Sequence, residues 1–360
     1  MKINNYWIAY FIIKLFYLFF ALFIISHYTT LGDMQRWTNI DVRGDFFSIF
    51  LNESLFMDYF GALCSYILGS TFASVPFLVL SFYGIYYSIS KLNINNSQLV
   101  FLLFLLSFPS FGIWTSIAGK EAFGVFFMGI ICGYIIDLYK YKRYKVNVIE
   151  IIAFYLLWLF KVQYSLAIVP LIVFIIISKK TNIHAIGKLF LFFIYVFFTI
   201  TILYLLKDII NEISLIIPNH FRETAGSARE NVFFVEDYDI FYNMFYGMFL
   251  SFIGSTFEEA FVNPINFFIF FESIIILSFF IYFLFSFIRQ IILTGKLNIT
   301  VLSLLIITLF GILFVNYPLG VLNIGSAIRY RENFYGFFVV FIYFLYLELQ
   351  KYNYNRKIKL

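Results

Sequence analysis

Near the C-terminus of this chain, in NYPLGVLNIGSAIRYRENFYGFF (residues 316–338), Arg329, Arg331 and Glu332 stand between two long apolar runs. A cation beside lipid is costly, so residues of these types need an anionic or aqueous partner at that place. Similar residues sit at the ends of other apolar runs. Lys120 and Glu121 close PSFGIWTSIAGKEA, and Lys161 and Gln163 interrupt the apolar stretch 148–178. Polar groups held by packed helices are preorganised in a way that loop charges are not. The cations Lys120, Lys161, Arg329 and Arg331 together suit an anion, and guanidinium groups suit phosphate oxygens in particular. Asp33, Glu121 and Glu332 are candidate general bases, a role that requires reaching the proton through one hydrogen bond or one water. In the loop HFRETAGSARE, Arg222 and Arg229 read first as surface arginines and second as candidates to close over a substrate.

Each of these groups also has a plainer reading. Arg329, Arg331 and Glu332 suit the cap of a span that snorkels toward headgroups, and Lys120 with Glu121 suits a surface pair of little energetic worth. If their segment is extended, Arg329 and Arg331 share one side; if it is helical they diverge by about 200°. Two isolated cysteines, Cys64 and Cys132, and three scattered histidines give neither a disulfide framework nor a ligand pair, so no metal and no cofactor is expected.

The elements that hold these residues follow from composition. Aromatic residues make up 24% of the 360 and charged residues only 12%, far from the roughly one quarter charged typical of a soluble domain. Long apolar runs recur throughout. Helices satisfy their own backbone in lipid, so the expected fold is all-α, a polytopic bundle of about 10 transmembrane helices forming one membrane domain over 1–360. The net charge of +5 is not gathered on one soluble face, which speaks against nucleic acid and for a topological signal. KYKRYK (140–145), the lysines at 179, 180 and 188, and the tail KYNYNRKIK place those segments in the cytoplasm with both termini. The acidic loop 28–58 and the charge-dense loop 207–266 then lie outside, the latter with an apolar piece at 241–253 suited to the interface. The stretch 59–90 is too long for one straight span, and Gly69, Ser70 and Pro76 offer a break. Because both ends of 148–178 adjoin cytoplasmic loops, two short helices are expected to meet at Lys161. The last span is expected over 334–349.

This arrangement resembles the Wzy-type O-antigen and polysaccharide repeat-unit polymerases. The local matches are Gly32-Asp33 after the first helix, PSFGIWTSIAGKEA, the cation Lys161 at the short hairpin, and 325–332 before the last helix. Relatives often carry arginine where this chain has Lys161, which keeps the charge and loses bidentate phosphate binding. The resemblance implies a GT-C-like glycosyltransferase of the bacterial inner membrane with its site facing the periplasm. It implies metal-independent transfer of a growing glycan from undecaprenyl pyrophosphate to a second lipid-linked repeat unit, among membrane lipids and with a chain-length regulator protein as a further partner. Arg329, Arg331 and Lys161 would then hold the donor pyrophosphate, with Lys120, Gln163, Arg222 and Arg229 as further substrate contacts. An O-antigen ligase shares much of this pattern. A flippase of the same lipid-linked unit would need charge spread through the bundle.

Overall fold

The computed structural model describes residues 4–28, 30–39, 47–181, 183–220, 228–294 and 297–357. Among these residues the secondary structure is helical, with a single isolated bridge between Ala228 and Asn323. Among the described residues, seven helical stretches are long and apolar enough to cross a membrane: Asn5–His27, Lys120–Tyr141, Val148–Lys180, Ala185–Leu205, Pro264–Leu293, Ile299–Gly320 and Ile324–Lys351. The chain is a multi-pass helical membrane protein. It packs as two compact units.

The first unit is the chain up to Asp137, with Tyr144–Ser165 and Glu332–Phe341. It contains α1 (Asn5–Phe23), α2 (Met34–Trp37), α3 (Glu53–Leu68), α4 (Val75–Ser90), α5 (Asn96–Leu105), α6 (Pro109–Trp114), most of α7 (Lys120–Tyr141) and α8 (Val148–Lys161). The long stretch 59–90 divides where its small residues stand. Gly69 takes φ 76°, a left-handed conformation that ends α3 at little cost, and Pro76 sits in the first turn of α4. The stretch 99–113, which reads as one rising span, is two helices, because Pro109 lacks the N–H that a continuing helix needs and instead opens α6. Helices α4 and α7 cross at backbone contact. A Cβ on Gly129 would lie 2.3 Å from the Gly84 carbonyl oxygen, and one on Gly84 would lie 2.5 Å from that of Val125. A capping box of Asn147 and Glu150 starts α8, and Lys161 ends it by leaving helical conformation at φ −148°, ψ 54°. One 3-10 turn, Val162–Tyr164, follows, so a helix junction falls at Lys161 as the sequence indicates.

The second unit holds α9 (Ser165–Lys180), α10 (Ala185–Leu205), α11 (Lys207–Ile216), α12 (Asp239–Tyr242), α13 (Met244–Ile253), α14 (Phe257–Ala260), α15 (Pro264–Thr294), α16 (Ile299–Gly320) and most of α17 (Ile324–Lys357). The apolar piece at 241–253 becomes mainly α13. It packs on α16 with Gly247 against the Tyr317 ring and Ser251 against Gly320. Tyr317 is fully buried there and donates its hydroxyl to the Ile240 carbonyl. The final helix begins ten residues before the apolar run at 334, because the Asn323 side chain caps it by accepting from the Ser326 amide at 2.9 Å. Arg329, Arg331 and Glu332 therefore lie in the early turns of a helix, not in a loop before one.

Candidate functional site

In the first unit, the polar turn between α6 and α7 is fixed from three sides. Lys14, buried in α1, donates from Nζ to the Thr115 hydroxyl at 2.6 Å and to the Thr115 carbonyl at 3.3 Å. Ser81 donates to the same carbonyl at 2.6 Å, and the Ala118 amide donates to Ser74 Oγ at 3.0 Å. The amine also lies 5.6 Å from the centre of the Phe111 ring. Thr115 caps the C-terminus of α6, where unpaired carbonyls favour a positive partner.

That pinned turn delivers Lys120 and Glu121 into the first turn of α7. Lys120 pairs with Glu53 at 2.8 Å and rests 5.9 Å above the buried Trp37 ring. Glu121 folds back over Gly119, where a Cβ would stand 2.6 Å from its Oε2. Two further segments reach the same turn. Phe160, next to Lys161, stacks on Phe123 at 5.3 Å, and Phe56 of α3 meets both rings edge-on. On the other side, Asn333 fills the space left by Gly124, at which a Cβ would lie 2.4 Å from Asn333 Oδ1. Phe334 in turn meets Tyr164, the neighbour of Gln163, at 6.0 Å.

Lys120, Glu121, Lys161, Gln163 and Glu332 thus lie on segments that pack together within one unit. Glu121 is 2% exposed, Lys161 9% and Glu332 0%, inside surroundings dominated by phenylalanine. Asp33 stands apart from this core: it is exposed at the start of α2, whose other end supplies Trp37. Its helix is tied to α3 by Arg36, which holds Asp58 through Nε at 3.1 Å and Nη2 at 2.7 Å. Among the described residues no three His, Cys, Asp or Glu side chains gather as a metal site needs.

The second unit places its arginines around the C-terminal end of α13. Arg331, wholly buried, binds Glu272 of α15 at 3.0 Å, Ser273 Oγ at 2.9 Å and the Phe252 carbonyl at 3.3 Å. Arg229 is bidentate to Glu259 at 2.6 and 2.7 Å and also reaches the carbonyls of Gly254 and Val321. Its own amide donates to the Leu322 carbonyl at 2.8 Å, so this arginine ties its loop to α13, α14 and the turn before α17. Burial alone would raise the Glu259 carboxyl, but hydrogen bonds from Arg229 and from Thr256 outweigh it and hold the group below its ordinary value. Beside Arg229 lies a cavity of about 610 Å³ edged by Asn219, Glu230 and Asn231. Arg329 is half-buried on the helix face about 200° from Arg331. Arg222 lies outside the described residues.

From sequence Lys14 reads as able to snorkel or to face the bundle, and it is buried; three other residues that matter here were not singled out: Glu259, Glu272 and Asn333. Glu272 carried a signal, a lone carboxylate within PINFFIFFESIIIL, because an ionisable residue inside an apolar run calls for a partner. Lys14 carried the same signal within α1. No family model, curated protein or solved structure matches this chain.

Proposed function

We propose that this protein is a Wzy-type polymerase, which joins polyprenyl-pyrophosphate-linked oligosaccharide repeat units into a surface polysaccharide. The observation that carries the reading is the burial of two carboxylates, Glu121 and Glu332, and one lysine, Lys161, with the half-buried Lys120 beside them, on segments that pack together in one unit of a membrane protein. Ionisable groups in such a place are functional by default. In this reading Lys161 and Lys120 meet the negative charge that builds as pyrophosphate departs. Glu121 or Glu332 takes the proton from the acceptor hydroxyl as its oxygen bonds to the anomeric carbon. The bond from that carbon to the pyrophosphate oxygen breaks at the same centre, and the leaving group keeps the electron pair.

Arg331 and Arg229 already hold carboxylates of their own. Their part in this reading is to position the loop that carries Arg229 and the start of α17. A bundle of about ten spans with GT-C-like packing, both termini in the cytoplasm and the site at the periplasmic face of the inner membrane completes the proposal. In that count α4, α5 and the two halves of Val148–Lys180 act as shorter spans.

The test is surface polysaccharide from a strain whose only copy carries Lys161→Ala, Glu121→Gln or Glu332→Gln. Loss of a general base typically costs about 10²- to 10⁴-fold in rate, so the ladder should collapse to a single repeat unit on its anchor while the variant remains in the membrane. Complete loss of surface repeats in a deletion strain would assign the chain to ligation or export. Full ladders in all three variants would remove the site.

A further inference from the structure

We infer that the cleft between α10 and α16 binds one phospholipid with a phosphoethanolamine head, its phosphate on Lys207 and its ammonium on Asp208. The inference does not depend on the polymerase reading. Although α10 runs for 21 residues, none of them is buried, and the helix touches its own unit chiefly along α16. Between the two helices lies a cleft of about 750 Å³ lined by Thr199, Leu203, Phe241 and Phe310 among others. That volume falls within the roughly 300–1,000 Å³ typical of sites for small molecules. An apolar cleft open to a bilayer is a place for a lipid chain, since no water there competes and every wall atom gains dispersion contacts.

One end of the cleft is chemically different. Lys207 stands two residues past the end of the apolar helix α10, where a span of that length would meet the headgroups, and lines the cleft. Its Nζ lies 5.1 Å from the Tyr204 ring centre and 5.5 Å from that of Tyr238. Among the described residues it makes no ion pair, so aromatic faces hold the cation while its charge stays available. Beside it is Asp208, exposed and accepting the Tyr238 hydroxyl at 2.7 Å. The same tyrosine therefore touches both a cation and an anion on one rim. Glu236, Asp237 and Asp239 flank Tyr238 in the chain and make its surroundings acidic. A headgroup with net negative charge, whether phosphatidylglycerol or a polyprenyl pyrophosphate, gains Lys207 and is opposed by the carboxylates. A phosphoethanolamine satisfies both signs, and its primary ammonium donates hydrogen bonds to Asp208 as a quaternary one cannot.

Purified full-length protein, stripped of lipid in detergent, is offered phosphatidylethanolamine, phosphatidylglycerol and polyprenyl phosphate at equal concentration, and retained lipid is read by native mass spectrometry. One phosphatidylethanolamine per chain is expected, retained about fivefold over phosphatidylglycerol, the worth of one favourable surface charge. Asp208→Lys should turn the preference toward phosphatidylglycerol, and Leu203→Trp should block the cleft and lower retention of every lipid. Asp208 lies on the exposed rim, so its variant tests the inference even if the tryptophan variant fails to fold. Equal retention of the two phospholipids, preference of the wild type for either anionic lipid, or retention unchanged by Asp208→Lys would overturn it.

Discussion

Replacing Lys14 by methionine is expected to leave the protein as stable as before or more so, although a buried, hydrogen-bonded lysine is removed. The bonds around Thr115 give the reason. After Lys14→Met its carbonyl still accepts from Ser81 at 2.6 Å, and its hydroxyl still donates to the Phe111 carbonyl at 2.6 Å. No buried group is orphaned, while the desolvation of an amine 1% exposed disappears. Exchanging a buried charge for an apolar chain of similar length ranges from neutral to about 4 kcal/mol stabilising, and a net gain of zero to about 2 kcal/mol is reasonable because methionine fills the same space. Thr115→Val works the other way. It leaves the amine only the carbonyl at 3.3 Å that Ser81 already uses, and should cost about 2–3 kcal/mol, the scale for losing a hydrogen bond to such a donor. In the double variant that cost should largely vanish, since there is no amine to strand. Thermal unfolding of the four purified proteins in one detergent, followed by tryptophan fluorescence, measures the cycle. A loss of more than about 2 kcal/mol in Lys14→Met, or additive effects in the double variant, would refute the argument.

Gly124→Ala should drive a methyl into Asn333, which is 1% exposed and has little room to yield. Overpacking of this kind costs about 1–3 kcal/mol, and on the proposed polymerase reading the accompanying shift of Glu332 should lower chain elongation by at least about tenfold, given that a 1 Å misplacement can cost 10²-fold. A normal ladder from a normally expressed variant would show that α7 and this part of α17 need no fixed register. A third prediction concerns acid. Because the folded Glu259 carboxyl lies below its ordinary value, its contribution is complete above the usual carboxylate range near about pH 4.3 and is lost as pH falls through the folded value. Acidification from about pH 7 to about pH 3 should therefore lower the unfolding midpoint of the wild type more than that of Glu259→Gln; parallel curves would disprove the assignment.

Much of the scaffold was legible because its signals are local. Gly69, Pro76 and the break at Lys161 each act within a turn of themselves, and the helices begin or end where those residues stand. The early start of α17 is not legible because the charges of Arg329, Arg331 and Glu332 set the last apolar run at 334, whereas Glu272 pairs with Arg331 and lets a helix pass through. That pair is 59 residues apart in the chain, and Lys14 is 101 residues from Thr115. Separations of that size leave no spacing to read. For the same reason the sequence placed Lys120, Glu121 and Lys161 at helix ends, but the Phe160–Phe123 stack and the fit of Asn333 into Gly124 emerge only from packing.

The crossing of α4 and α7 at Gly84 and Gly129 bears on how such a chain drifts over generations. Where two side chains collide, a second change can rescue the first by trimming the partner. Here the obstacle to any added carbon is a main-chain carbonyl, which every amino acid carries, so neither position has a compensating mutation available. The lipid-facing phenylalanines are free to be exchanged for other apolar residues, and lineages can diverge there until no resemblance remains. These two glycines are the positions expected to hold as fixed points of descent.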